Sequence, residues 1–178
     1  MSFLLRKVSL SKWQQNKDKC PDEFTADAIT GCTRTTRNTL SVWNSDSIDF
    51  DSDEVKNLVV ALAVTMREPA AIDLLWLEQS WLEENGININ ATPGESLYQA
   101  INEKHRDLDN LNHRGLAIVG MHIVERLKTP NNYTRWPKPE LIKLVAEKSE
   151  RGDSFNVEDL SDKWIVAINK YYERVKAA

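Results

Sequence analysis

The sequence has few of the residues from which metal, disulfide and nucleophilic sites are usually built. Of its 178 residues, two are cysteine and three are histidine. Cys20 and Cys32 form no CxxC pattern and no Cys/His ligand spacing, and there is no GxSxG motif. The sequence therefore predicts no metal site and no cofactor. Two reduced thiols are the simpler interpretation, although a Cys20–Cys32 disulfide stays open.

Long apolar runs are also absent. The longest, Gly115–Val124, has ten residues and is interrupted by His122, whereas a transmembrane helix needs about 20. Met1–Leu10 is too short and too charged for the apolar region of a signal peptide. We therefore expect a cytoplasmic protein with no membrane partner.

The chain has no large excess of either charge. Its formal net charge is −4 and its pI is about 5.5, which gives no global attraction to nucleic acid or to an anionic membrane. A local basic patch is still compatible with this balance.

What the sequence does contain is the material for one globular domain. Apolar residues make up 41% and charged residues 28%, and a chain of this length buries roughly two-thirds of its unfolded surface without disulfides. We expect a single helix-rich α+β domain over residues 1–178. It would have an α/β portion over about 1–92, which supplies a small sheet, and a helical portion over about 93–178.

In the first portion, apolar residues from Asp53 onwards recur at helical spacing. Asp51 or Ser52 can cap this helix, and Pro69 would end it. Short strands are predicted at Phe3–Leu10 (or a first helical turn), Thr39–Trp43, Ile72–Leu77 and Ile87–Ile89.

The second portion is predicted to begin with one long amphipathic helix over residues 95–128. When successive residues are placed at 100° intervals around a helix, the apolar residues from Leu97 to His122 lie within about 40° of a single line along its surface. Gly115 would mark a close crossing or a break into two helices. A helix from Pro139 towards Gly152 follows. A last helix would be capped by Asn156, with an apolar stripe that includes Trp164, Ile168 and Val175.

One string inside the predicted long helix matches a catalytic motif. Residues 105–112 read HRDLDNLN, the letters of a protein-kinase catalytic loop. That motif needs a loop, and here Leu108 and Leu111 belong to the buried stripe of a helix. There is also no glycine-rich loop and no DFG sequence, so we interpret the match as coincidence.

Two isolated residues have both a structural and a chemical interpretation. His122 lies near the centre of the apolar stripe and is expected to be a buried histidine with a satisfied hydrogen bond, or else a buried titrating group. Cys32 lies near Arg34 and Arg37, which would lower the pKa of a nearby thiol. In both cases the structural interpretation is favoured.

The segment Arg126–Lys138, here called the basic–aromatic segment, is the candidate binding site. It has four cations, two aromatic residues and no acid, which suits a single-stranded nucleic acid or a phosphorylated partner. A connection that anchors Trp136 in the core is the alternative. The candidate binding residues are Arg126, Lys128, Tyr133, Arg135, Trp136 and Lys138, with Arg34 and Arg37 as a second basic stretch.

These observations support three hypotheses. The first is a non-catalytic protein-interaction module, such as an accessory subunit, adaptor or inhibitor, whose partner is another protein or a second copy. Its support is the lack of a catalytic constellation together with residue types that dominate interfaces. The second is a nucleic-acid-associated protein that uses the basic–aromatic segment. The third is a small hydrolytic enzyme with an unrecognised site.

Overall fold

The first strand of the chain lies in the middle of an antiparallel sheet. The structure, a computed structural model, describes residues 2–33, 38–150 and 155–177. Over these residues the strands are β1 (Phe3–Val8), β2 (Leu40–Ser45), β3 (Ile72–Glu78), β4 (Asn88–Ala91), β5 (His105–Asp109) and β6 (Tyr133–Trp136). They pair in the order β4-β5-β2-β1-β3-β6, and every neighbouring pair is antiparallel.

Helices cover both faces of this sheet. They are α1 (Leu10–Gln14), α2 (Ala26–Cys32), α3 (Asp53–Val64), α4 (Gln79–Glu84), α5 (His113–Lys128), α6 (Lys138–Glu150) and α7 (Asp162–Lys176). Short 3₁₀ turns lie at Pro21–Glu23, Gln99–Lys104 and Val157–Asp159. The described chain is therefore of mixed α+β class, as expected.

Two apolar cores lie on opposite faces of the sheet. The α3 core contains Leu58, Val145 and Trp164, from α3, α6 and α7. The α5 core contains Trp13 and Val119, from α1 and α5. Successive strand residues alternate between the two cores because their side chains point to opposite faces of the sheet. On β3, for example, Ile72, Leu74 and Trp76 enter the α3 core, whereas Leu75 and Leu77 enter the α5 core.

The strands and the helix α3 predicted in the first ninety residues are present, whereas α4 lies at Gln79–Glu84, where no helix was predicted. Each predicted strand is present, and α3 begins after Ser52, whose hydroxyl accepts a hydrogen bond from Val55 N at 3.3 Å. The helix ends at Val64, five residues before Pro69. Cys20 and Cys32 are both free thiols.

The size and origin of the sheet differ from the prediction. Six strands are described instead of a few, and the sheet is not drawn from the N-terminal half alone. β5 and β6 come from the portion expected to be helical, and they extend the sheet on opposite sides, β5 along β2 and β6 along β3. In a strand of four or five residues, the alternation of apolar and polar residues is too short to be distinguished from helical spacing. Pairing with a longer neighbouring strand therefore decides its structure.

The predicted helix over residues 95–128 is wrong in its first half. Residues 99–104 form a 3₁₀ turn, His105–Asp109 is β5, and only His113–Lys128 is α-helical. Asn110 adopts a left-handed conformation with φ +54°, and the side chain of Asn112 caps α5 by accepting from Gly115 N at 2.9 Å. The break therefore precedes Gly115. In the kinase-like string, residues 105–109 form β5 and residues 110–112 connect it to α5. Its expected place inside a helix was therefore wrong, although Leu108 and Leu111 are buried as predicted.

The start of the last helix is also different. Asn156 precedes only the 3₁₀ turn Val157–Asp159, and α7 begins at Asp162 with Ser161 before it. The extended backbone of Leu160, with ψ 164°, interrupts the helix. Trp164 Nε1 then donates to Met66 O at 2.9 Å and anchors α7 on the end of α3. Val175, assigned to the buried stripe, is 57% exposed.

Candidate functional site

The basic–aromatic segment is divided among three elements of the fold. Arg126 and Lys128 end α5, Tyr133, Arg135 and Trp136 lie on the edge strand β6, and Lys138 begins α6. The residues expected to form one surface are therefore distributed over both faces of the sheet. Arg34 and Arg37 lie outside the described residues.

Arg126 makes internal contacts. Its side chain is only 13% exposed and forms an ion pair with Glu78. Its Nε donates to Trp76 O at 3.3 Å, and Nη2 donates to the side-chain oxygen of Asn132. These bonds tie the end of α5 to β3, so the guanidinium group has a structural role.

The two aromatic residues of the segment face opposite sides of the sheet. Tyr133 packs against the α5 core and Trp136 against the α3 core, as expected for strand positions three apart. Lys17 Nζ lies 6.0 Å from the centre of the Tyr133 ring. The two rings therefore do not form one continuous stacking surface.

The exposed cations of the segment are mostly paired. Arg135, 64% exposed, lies 3.1 Å from Asp73, and Lys128, 53% exposed, lies 3.6 Å from Asp18. Lys138 is different because it lines a groove on the other side of the molecule.

This groove, here called the α6–α7 groove, lies between the start of α6, the outer side of α7 and residues 68–69. It encloses about 550 Å³. Its apolar lining consists of Pro69, Pro139, Ile142, Val166, Ala167 and Tyr171, and its charged lining of Glu68, Asp162, Lys138, Lys163, Lys170 and Arg174.

The packing of α7 explains why apolar surface remains in the groove. Trp164 and Ile168 face the α3 core and are fully buried. Val166 lies off that buried face and is 52% exposed. On α6, Leu141 and Val145 are buried while their neighbour Ile142 lines the groove. Two helices that meet by one face each thus leave a second, partly apolar surface facing solvent.

The charged lining of the groove is mostly positive and includes one internal ion pair. Lys163 pairs with Glu68, and the pKa of Glu68 is lowered, first by the hydrogen bond and the charge of Lys163 and more weakly by Lys138. Within the described ranges, Lys170 and Arg174 pair with no carboxylate. Four cations against two acids line the groove, so its local charge is opposite in sign to that of the chain.

Sequence reasoning missed the α7 side of this site. Only Lys138 of the predicted binding residues lines it. A signal was nevertheless present: Lys163, Lys170 and Arg174 are spaced by seven and four residues and fall on one side of a helix. Val166 lies next to that row and outside the buried stripe.

His122 has the environment of a structural residue. It is 1% exposed, its ring stacks on Trp81 with centres 4.2 Å apart, and Nε2 accepts from Glu78 N at 2.9 Å. The proton of the neutral ring is therefore on Nδ1, which faces Glu125 Oε2 at 3.5 Å, beyond the usual hydrogen-bond range. Burial, and then the charge of Arg126, lower the pKa of His122 to about 3.

The hydroxyl, carboxylate and imidazole groups where β2 meets β5 resemble parts of a hydrolytic site. The hydroxyls of Ser41 and Thr92 both donate to Asp107, at 3.3 and 2.8 Å. His105 Nδ1 lies 2.9 Å from Thr92 O, a contact that requires the proton on Nδ1. Thr92 Oγ1 also lies 3.1 Å from His105 Nδ1, but with its proton on Nδ1 that nitrogen is a donor. The cluster therefore does not pair a nucleophile with a basic nitrogen.

Cys32 is buried, and its sulfur accepts from Ser9 N at 3.3 Å. Over residues 2–33, 38–150 and 155–177, no group of three or more histidine, cysteine or acidic side chains is arranged to hold a metal ion. None of the helices in these ranges has the length and apolar character of a membrane span. No protein-family model, no curated protein and no solved structure matches this chain.

Proposed function

We propose that this chain is a non-catalytic protein-interaction module that binds another protein through the α6–α7 groove. The carrying observation is the groove itself, a surface cavity beside two packed helices that is lined by both apolar and charged side chains. Protein interfaces commonly have this arrangement, with apolar anchors at the centre and polar groups around them.

The framework of the groove is suited to binding without large rearrangement. Trp164 Nε1 bonds to Met66 O, and Ser161 Oγ donates to Arg67 O at 2.7 Å. These bonds fix the start of α7 beside residues 68–69, and Pro69 and Pro139 restrict the backbone on both sides. A preformed surface loses less conformational entropy when a partner binds.

Nucleic-acid binding through the basic–aromatic segment has weaker support. Arg126 is engaged with Glu78, Arg135 with Asp73 and Lys128 with Asp18. A phosphate would have to compete with these carboxylates, and the two aromatic rings face opposite sides of the sheet. The interaction-module hypothesis is therefore preferred, with a cytoplasmic location as its expected setting.

Site-specific photo-cross-linking in cells of the source organism tests the proposal. A photoreactive phenylalanine at Val166 places the probe in the groove, and the same residue at Met121 is the control. The control position is 41% exposed on α5, on the other side of the sheet, against 52% for Val166.

We expect a cross-linked protein of defined mass at Val166 that is missing at Met121. The adduct should disappear when Ala167→Trp is added, since the indole fills the groove. Equal products at both positions, or none at Val166, would refute the groove as a docking surface.

A further inference from the structure

We infer that the segment bound in the α6–α7 groove is acidic as well as apolar. This inference rests on the proposed function and adds the chemical class of the partner. Lys170 and Arg174 line the groove without a carboxylate partner in the described parts of the chain, beside the apolar side chains of Val166 and Ala167. An acidic segment with apolar residues would satisfy both features at once.

The cations form a straight row on α7. At 100° per residue, Lys163, Lys170 and Arg174 lie within about 40° of one another around the helix. Their backbone positions span about 16 Å along its axis, at 1.5 Å per residue. That length corresponds to about five residues of extended chain or three turns of helix. A short linear segment can therefore contact the whole row.

Glu68 shows how the row receives a carboxylate. It pairs with Lys163 at one end of the groove, and its pKa is lowered first by the hydrogen bond from Lys163, then by the charge of Lys163 and more weakly by that of Lys138. Carboxylates of a bound segment would take the equivalent places beside Lys170 and Arg174. Glu68 would then compete with the segment for Lys163.

The apolar lining favours a peptide over other anionic partners. A phosphate backbone would cover Ile142, Val166 and Tyr171 without making apolar contacts with them. The leucine or phenylalanine side chains of a peptide would make such contacts. Apolar burial contributes about 25 cal/mol per Å². Oppositely charged rims mainly accelerate encounter and exclude wrong partners. The apolar side chains would supply affinity and the cations would select acidic sequences.

A displayed library of random 16-residue peptides tests this inference with the full chain as bait. Binders to the wild type are counter-selected against Ala167→Trp, so that only groove-dependent peptides are scored. Enrichment of peptides that combine aspartate or glutamate with large apolar residues is expected. Neutral or basic groove-dependent peptides would overturn the acidic class and leave the proposed function standing. A lack of groove-dependent peptides would overturn the proposed function itself.

Charge reversal then measures the role of the row with one selected peptide. Lys170→Glu with Arg174→Glu should weaken binding about tenfold or more, since two attractive contacts become repulsive. Lys19→Glu with Arg114→Glu is the matched control, because it makes the same change in net charge at exposed residues near the α5 core. Glu68→Gln should strengthen binding about twofold to fivefold by freeing Lys163.

Equal weakening by both charge-reversed pairs would show only a long-range effect of net charge and would overturn the assigned row. In a competition assay, a 20-nucleotide single-stranded DNA and phosphatidylserine vesicles are each tested for displacement of the same labelled peptide. Displacement by either at a lower concentration than by unlabelled peptide would identify a different class of partner and overturn the inference. Failure of both to displace it supports an acidic peptide segment.

Discussion

At the scale of single residues, the buried ionisable groups of this protein stabilise the layers of the fold. Arg126 joins α5 to β3 through Glu78 and Trp76, and to the turn before β6 through Asn132. His122, on the same helix, accepts a hydrogen bond from the backbone of Glu78. Burial favours the neutral form of His122 because a charged imidazole there would lose its hydration.

The buried His122 should make the stability of the protein depend on pH. Its pKa is about 3 in the folded state, against an ordinary value of 6.5. As pH falls below 6.5 the unfolded chain gains the proton first, so stability is lost between about pH 6.5 and pH 3. From pH 7 to pH 5 this residue alone should lower the free energy of unfolding by about 2 kcal/mol.

Urea denaturation of the wild type and of His122→Gln at both pH values measures this difference. The glutamine retains an acceptor for Glu78 N but no titrating group, so its loss of stability should be smaller by about 2 kcal/mol. His113→Gln, at an exposed position, should behave like the wild type. If His122→Gln loses as much stability as the wild type, the histidine does not titrate as described.

At the scale of secondary-structure elements, short polar side chains decide where α5 begins. Asn110 has a left-handed backbone, and the side chain of Asn112 accepts from Gly115 N. Asparagine tolerates both roles better than most residues. The apolar spacing in the sequence thus continues through residues 110–112, although the structure ends strand β5 and begins helix α5 there.

The stability of Asn112→Ala should distinguish a helix that begins at residue 113 from a longer helix that continues through residue 112. Loss of the cap should destabilise the protein by about 1 kcal/mol, whereas alanine in the interior of a continuous helix would stabilise it by about 0.5 kcal/mol. Asn112→Asp, which retains a capping oxygen, should stay close to the wild type. Thermal or chemical denaturation gives the sign directly, and a stabilised alanine variant would contradict the cap.

Helix α3, strand β5 and the α6–α7 groove show how far the sequence alone predicts this structure. A cap at Asp51 or Ser52 and the apolar spacing after it predict α3, because cap and stripe agree there and no strand competes. At residues 105–109 the spacing favoured a helix, yet pairing with β2 and β4 prevails, and that pairing depends on residues far away in sequence. The groove escaped prediction for a similar reason. Lys138 and Lys170 are 32 residues apart, and only the packing of α6 on α7 brings them together.

At the scale of the whole molecule, the order of the strands predicts an order of stability. β1 pairs on both sides, with β2 and with β3, and β3 is apolar towards both cores. β4 and β6 are edge strands of four residues each. Interior strands with buried faces usually open only on global unfolding, whereas short edges open locally.

Amide hydrogen exchange should therefore be slowest in β1 and β3 and clearly faster in β4 and β6. Because β6 carries Tyr133, Arg135 and Trp136, the predicted basic–aromatic segment would lie on one of the least protected strands. The α6–α7 groove would behave differently, since α7 is anchored to the end of α3 through Trp164 and Ser161. The amides of Trp164 and Ile168, on the buried side of α7, should exchange more slowly than the β6 amides. Protection in β6 equal to that in β1 would contradict this order, and would restore the edge strand as a rigid surface for a partner.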